Sequence, residues 1–434
     1  MTRKNISPGQ FPDWALSSYG AEGDFGLSSG AGLSSGLLME DRSLCLMERV
    51  MSRGGVMLDG GRRYAAAAAL AAVVGLAVVP DAYAVINVSS GETATDLIIG
   101  SSGVDSAMNV FSGGIANGTT IITGGVQSIY DGGYAAGTAI YSGGEQHVLD
   151  NGSGSGTIIN SAGWQYVSAG FAGGTIINDG GHQKILAGGI ASGAAIGSGG
   201  VQSVYDGVAE NTVINGGGVQ YVYDGGIASA TTVNSDGAQQ VSSGGSAINT
   251  NISDGGEQYV NSNGIASGTN ISSSGAQHVS SGGSAINTNI SGGGAQYVYD
   301  GGIASGTNIS SGGVQYASNA GSAVSASISG GGVQSVYNAG SAVNAAIGSG
   351  GAQYVNSSGV AENTVINSGG VQSVYSAGIA SATTVNSGGV QFFGDGGSAV
   401  DADVSSGGVI RVDPAATIHM SGSINIFDGG ELTE

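Results

Sequence analysis

Gly199-Gly200-Val201-Gln202-Ser203-Val204-Tyr205-Asp206 and Gly369-Gly370-Val371-Gln372-Ser373-Val374-Tyr375-Ser376 are two copies of one short unit. The Gln marks each copy. It recurs at Gln127, Gln146, Gln165, Gln183, Gln202, Gln220, Gln239, Gln258, Gln277, Gln296, Gln315, Gln334, Gln353, Gln372 and Gln391. Successive gaps are 19 residues, apart from two of 18. A unit of this period, copied about sixteen times, predicts a solenoid. A second half follows each first half, as in Ala135-Ala136-Gly137-Thr138-Ala139-Ile140, and the whole unit reads G-G-[V/A]-Q-x-V-x-x-G-G-x-A-x-x-T-x-I-x-S. Both halves alternate in polarity, are rich in β-branched residues and are bounded by Gly, which predicts short strands separated by turns. No stretch after residue 85 has helical spacing. Asp206-Gly207-Val208-Ala209 and Ala169-Gly170-Phe171-Ala172 are one residue shorter than Asp224-Gly225-Gly226-Ile227-Ala228. Length varies in the Gly-rich segment and not in the strands, as expected of an exposed loop.

The columns of the repeat assign its faces. Two places after each Gln stands an apolar residue, as in Ile129, Val148, Val167, Ile185, Val204 and Val222. Residues i and i+2 share one side of a strand, so Gln and Val point the same way. The column between them holds Ser128, His147, Tyr166, Lys184, Ser203 and Tyr221, and such a mixture faces water. The Gln column is therefore expected to point inward or into a sheltered corner. One buried Gln alone is costly. A stack at the strand spacing of ~4.8 Å can bond amide to amide along the axis. An outward Gln stripe is the alternative, and it accounts less well for the constant spacing.

Four places after the Gln come Asp131, Asp150, Asp206, Asp224, Ser243 or Asn319, whose side chains favour turns. The Gly pair that follows is expected to supply positive φ. Two outward columns carry tyrosine: Tyr130, Tyr205, Tyr223, Tyr299, Tyr337 and Tyr375 in one, Tyr166, Tyr221, Tyr259, Tyr297, Tyr316 and Tyr354 in the other. They could stack on sugars or on a second rod. They could equally pair across strands and stiffen the sheet.

Residues 1–84 differ. Seven of the nine Lys and Arg lie there. Arg62-Arg63 precedes an Ala/Leu/Val run from Tyr64 to Val79, and Ala82-Tyr83-Ala84 follows. A charged region, an apolar stretch and an A-x-A site predict a secretory signal peptide over 47–84, cleaved between Ala84 and Val85. The run is short for a spanning helix. Residues 1–46 resemble neither signal nor repeat. Met47, Met51 or Met57 would each give a signal of ordinary length, so a later start than Met1 is expected.

Residues 85–434 hold 22 acidic residues against two basic ones, Lys184 and Arg411, a net charge of −20. Nucleic-acid binding needs the opposite sign. The only cysteine is Cys45, so the exported part carries no disulfide. His147, His182, His278 and His419 are scattered without ligand spacing. No cofactor or metal is expected. The stacked corners Asp131/Asp150 and Asp206/Asp224 place carboxylates at roughly 5–7 Å, near a retaining glycosidase separation. Asp-Gly-Gly is also a plain turn signal. An enzyme is not expected, because copied units do not build one unique cluster of acids and bases.

The motif S-G-G-V-Q-x-V-x-x-G-G-x-A-x-x-T-x-I resembles the strand-loop-strand repeat of autotransporter passengers, as in the AIDA-type adhesins. The resemblance covers about residues 86–430. It implies an all-β, right-handed parallel β-helix over 85–430, displayed on a Gram-negative outer membrane. It implies adhesion to surface glycans or proteins, or to a second copy, and heptose attached by an O-glycosyltransferase. The matching serines stand four before the repeat position: Ser142, Ser161, Ser198, Ser235, Ser273, Ser311, Ser349, Ser368, Ser387 and Ser406. Thr123, Asp179, Gly216, Asp254, Gly292 and Gly330 take that place elsewhere. Residues 431–434 are expected to be a truncated end, with the membrane barrel that exports such passengers supplied outside this chain. Two further functions stay open, a polysaccharide-active β-helix enzyme and an inert stalk.

Overall fold

The computed structural model describes residues 85–100, 106–427 and 429–433. The expected signal segment, Ala84 and the alternative starts lie outside the described residues. Val85 opens the first strand, Val85–Val88.

The described chain is a parallel β-solenoid with two sheets. The first sheet has 19 strands, one per coil. The second has 33 strands, most of them shorter and two per coil. The coil around Gln258 is representative. Glu257–Val260 lies in the first sheet, and Ile265–Ser267 and Asn270–Ile271 lie in the second. Every neighbour is the same unit one repeat away, in register: Gln239↔Gln258↔Gln277 and Ala247↔Ala266↔Ala285. No chain crosses between distant coils, so stability accumulates from neighbour to neighbour.

The core lies between the two sheets. Gln258 and Val260 enter it from the first sheet, and Ala266, Thr269 and Ile271 from the second, none more than 1% exposed. Simple alternation fails in the second strand. Ala266 and Thr269 are three residues apart, yet both point inward. The cause is Gly268, whose φ of +69° inserts a kink between the two short strands. The same place is positive at Ala230 (54°), Asn249 (56°), Asn287 (54°) and Ser325 (54°). Asn tolerates that conformation, whereas Ala and Ser there are strained.

The corner glycines divide their work. In Asp224-Gly225-Gly226 the first two residues have φ of 43° and 80°, and Gly226 does not need a positive φ. A Cβ on Gly226 would meet the Val204 carbonyl carbon of the coil below at 2.8 Å. The second Gly of each pair is thus a close-packing residue, and the residues before it make the turn.

The rod has more coils than the Gln column has members. Strands Val85–Val88 and Ala107–Val110 precede it, and Val409–Val412 and Glu431–Thr433 follow it. In these coils Ile86, Met108, Ile410 and Leu432 stand where Gln stands elsewhere. The outermost coils are also 22 residues long, as Ile86↔Met108 and Ile410↔Leu432 show. A search for Gln at 19-residue spacing passes over them.

Candidate interaction surfaces and the interior ladder

All fifteen glutamines of the repeat column are buried, at most 1% exposed, so the inward alternative is the one the fold adopts. From Gln146 onward each Nε2 donates to the Oε1 of the preceding Gln. The links run from 2.8 Å for Gln146 to Gln127, through 2.6 Å for Gln258 to Gln239, to 2.8 Å for Gln391 to Gln372. A second column, which the sequence reading did not single out, completes the ladder. Thr269 Oγ1 donates to Gln258 Oε1 at 3.2 Å, and Gln277 Nε2 donates to Thr269 Oγ1 at 3.2 Å. The Thr of the repeat unit was the available signal, since a Thr held constant beside inward Ile serves as a buried hydroxyl. Where Ala194, Ala326 or Ala345 replaces it, the Gln–Gln links continue alone. At the N-terminal end Gln127 Nε2 donates to Met108 Sδ at 3.2 Å. At the C-terminal end the Gln391 Oε1 lies buried beside Ile410 without a donor.

The outer face of the first sheet carries most of the aromatic side chains. Tyr259, His278, Tyr297 and Tyr316 form one continuous pile, with ring centroids 4.9, 4.9 and 5.1 Å apart and interplanar angles of 13°, 10° and 9°. Trp164 stacks on His182 at 4.2 Å and on Tyr166 at 5.7 Å. Within the pile, ring faces therefore meet neighbouring rings along the axis. This is the stiffening role, and it leaves ring edges toward solvent within the pile, where a sugar would need a face.

Glu257 accepts the Tyr259 hydroxyl hydrogen. That bond, then burial, then the charges of Glu257 and Tyr299 push the Tyr259 pKa up from 10.0 to about 12. The Tyr223 phenol is raised to about 12 by burial and by Tyr221 and Tyr205. Burial lowers the His278 imidazole, and Glu257 opposes it. A raised phenol favours the folded state below the ordinary value of 10.0, and this is lost as pH rises through about 12. In a phenolate absorbance titration Tyr259→Phe should remove a late-titrating group. Removal of a group titrating near 10 instead would contradict the Glu257 contact.

The outer face of the second sheet has a different character. Ile227, Ile248, Ile265, Ile286 and Ile303 are 37–47% exposed. They alternate with Ser between two columns: Ile227↔Ser246, Ser229↔Ile248, Ser246↔Ile265, Ser267↔Ile286, Ser284↔Ile303. Beside this checkerboard runs an exposed amide row. Asn270 donates to Asn251 at 2.9 Å and Asn289 to Asn270 at 3.0 Å. The segments 227–233, 246–252, 265–271, 284–290, 303–309, 322–328 and 341–347 hold no ionisable residue. Glu210 and Glu362 bound this stretch in the coils before and after it.

The ten expected acceptor serines are all exposed and occupy one corner, between the second sheet and the next strand of the first. Asp131, Asp150, Asp206 and Asp224 are exposed at the opposite corner. Asp150, Asp206 and Asp224 have φ of 44°, 50° and 43°, as turn residues do. Among the described residues no group of three or more His, Cys, Asp or Glu is placed to hold a metal ion.

Comparison with known proteins agrees with the repeat. A family model described as "Adhesin of bacterial autotransporter system, probable stalk" matches residues 201–256, 262–313 and 338–389. The crystal structure of a TibC-catalysed, hyper-glycosylated TibA fragment is 36% identical, over 76% of this chain and 100% of that one, with a TM-score of 0.45. The Dettilon tailspike protein (gp208) is 13% identical, over 76% of this chain and 60% of that one, with a TM-score of 0.17. A search of curated proteins found no match. The family model and the sequence identity carry the assignment, and the superpositions do not enter it. The chain belongs to the AIDA family of bacterial autotransporter adhesins.

Proposed function

We propose that residues 85–434 are a cell-surface passenger that joins cells by pairing with a second copy through the uncharged face of the second sheet. The observation that carries this is a second-sheet face that runs through seven coils without an ionisable side chain, on a rod of net charge −20. Elsewhere two rods would repel. On this face they can meet without burying a carboxylate, whose desolvation is costly. The checkerboard also fits itself, because each protruding Ile can settle over a Ser of the facing sheet. Seven coils at ~4.8 Å and seven residues at ~3.3 Å give about 780 Å². That is near the ~800 Å² per partner of a standard interface. Many rods on one cell then add their contacts.

Several features complete the proposal. Export begins with cleavage between Ala84 and Val85 and proceeds through a translocator in the outer membrane. A glycosyltransferase acts on the exposed corner serines Ser142, Ser161, Ser198, Ser235, Ser273, Ser311, Ser349, Ser368, Ser387 and Ser406. The similar TibA fragment was hyper-glycosylated by TibC, and here the matching hydroxyls lie accessible along one corner. The role is adhesive and structural rather than catalytic.

The test is surface display on a non-adherent bacterium, with a barrel and the glycosyltransferase supplied. Clumping should appear and should strengthen with salt, which screens the distant like charges. Ile265→Asp combined with Ile303→Asp should abolish it, and Ser335→Asp on the first sheet should not. Undiminished clumping by the double variant would remove the second-sheet interface. No clumping or attachment by the parent, with display confirmed, would leave the stalk.

A further inference from the structure

We propose that Tyr297 and Tyr316 are an oxidative cross-linking site, at which a one-electron oxidant joins two adjacent coils through a dityrosine bond. The site lies on the first sheet and is independent of the second-sheet interface proposed above. The two residues are register partners on neighbouring parallel strands. Their rings lie 5.1 Å apart at 9°, half-buried on the outer face, where the side chains can still turn toward solvent. A β-solenoid holds such partners together permanently, so coupling needs no encounter between molecules.

The chemistry balances with hydrogen peroxide as the oxidant, used by a haem peroxidase. Each phenol gives up one electron to the peroxidase and one proton to solvent. The two phenoxyl radicals join through ring carbons ortho to the oxygens, forming one carbon–carbon bond. The hydrogen on each of those carbons then moves to the phenoxyl oxygen, and both rings become phenols again. Two electrons and two protons leave in all, and they convert one hydrogen peroxide to two waters.

Among pairs on neighbouring coils the surroundings select this one; Tyr221 and Tyr223, 5.6 Å apart at 15°, lie two residues apart on one strand and would join no coils. Tyr259 is separated from Tyr297 by the ring of His278, which cannot form the product. Tyr337 meets Tyr316 edge-on at 6.4 Å and 86°. Tyr205 and Tyr223 are 5.3 Å apart but tilted by 38°. The Lys184 ammonium stands 4.8 Å over the Tyr205 ring, and a positive charge there opposes removal of an electron.

The experiment treats the full chain with hydrogen peroxide and a haem peroxidase, at two protein concentrations. Dityrosine fluorescence should appear in the monomer, with a yield per molecule that dilution does not change. Proteolysis and mass spectrometry should find peptides containing Tyr297 and Tyr316 joined with the loss of two hydrogens. Tyr316→Phe keeps the stacked ring and should lower the monomer fluorescence at least about threefold. Cross-links formed only between molecules would overturn the proposal. So would an undiminished yield in Tyr316→Phe, or joined peptides from Tyr205 and Tyr223 in place of this pair.

Discussion

Gly302→Ala should disrupt its coil, and Gly301→Ala beside it should be tolerated. A Cβ on Gly302 would lie 2.8 Å from the Ser280 nitrogen and closer still to the Val279 carbonyl. Both atoms belong to the backbone of the coil below, which is held by its own ladder and cannot give way. We expect a loss of about 3 kcal/mol or more, from displacement of two bonded strands. Gly301 has φ of +78° and nothing within 4 Å of its Cβ position. Ala there meets only the left-handed backbone cost, about 1–2 kcal/mol. Hydrogen exchange of the amides in Ala276–Val279 and Ala295–Val298 separates the two, because unfolding of a solenoid is local before it is global. Equal exchange in both variants would show that the corner has room the geometry denies.

Gln258→Leu should be the most damaging change within a strand. Gln258 donates to Gln239 Oε1 at 2.6 Å and to Thr250 Oγ1 at 3.2 Å. It accepts from Gln277 Nε2 at 2.7 Å and from Thr269 Oγ1 at 3.2 Å. Leu leaves these buried partners short of a donor or an acceptor, each at about 1–3 kcal/mol before relaxation. We expect a net loss of about 2–4 kcal/mol. Tyr259→Phe, one residue along, loses a half-exposed hydroxyl contact to Glu257 and should cost less than about 1 kcal/mol. Urea melts followed by far-ultraviolet dichroism rank the two, and the reverse order would contradict the ladder.

Ladder and checkerboard differ in how far the sequence reveals them. The Gln column is legible because each member occupies one place in a fixed period, and burial without a partner is too costly for an isolated Gln. The Thr column carries the same period. Its role stays hidden because Thr also suits an exposed strand position, and strict alternation from the inward Ala would turn it outward. The kink at Gly268, Asn249 or Ala230 brings Ala and Thr to the same side, and no single residue type marks it. The uncharged face is the converse case. Ile227/Ser229 and Ser246/Ile248 exchange places between coils, so no column appears apolar in the sequence alone.

The sequence by itself determined the architecture, the length of the repeat, the inward Gln and the place of the corners. These follow from periodicity, since an element copied at constant spacing can satisfy its backbone only by stacking on its own copies. The tertiary structure decided what stacking does to side chains on different coils. It joined Gln to Thr across the core, turned the tyrosine faces onto one another, and assembled alternating Ile and Ser into one uncharged surface. It also showed that the second corner Gly serves the coil below and not its own turn. Each of these is a relation between residues 8 to 22 places apart, and it exists only once the chain has coiled into register.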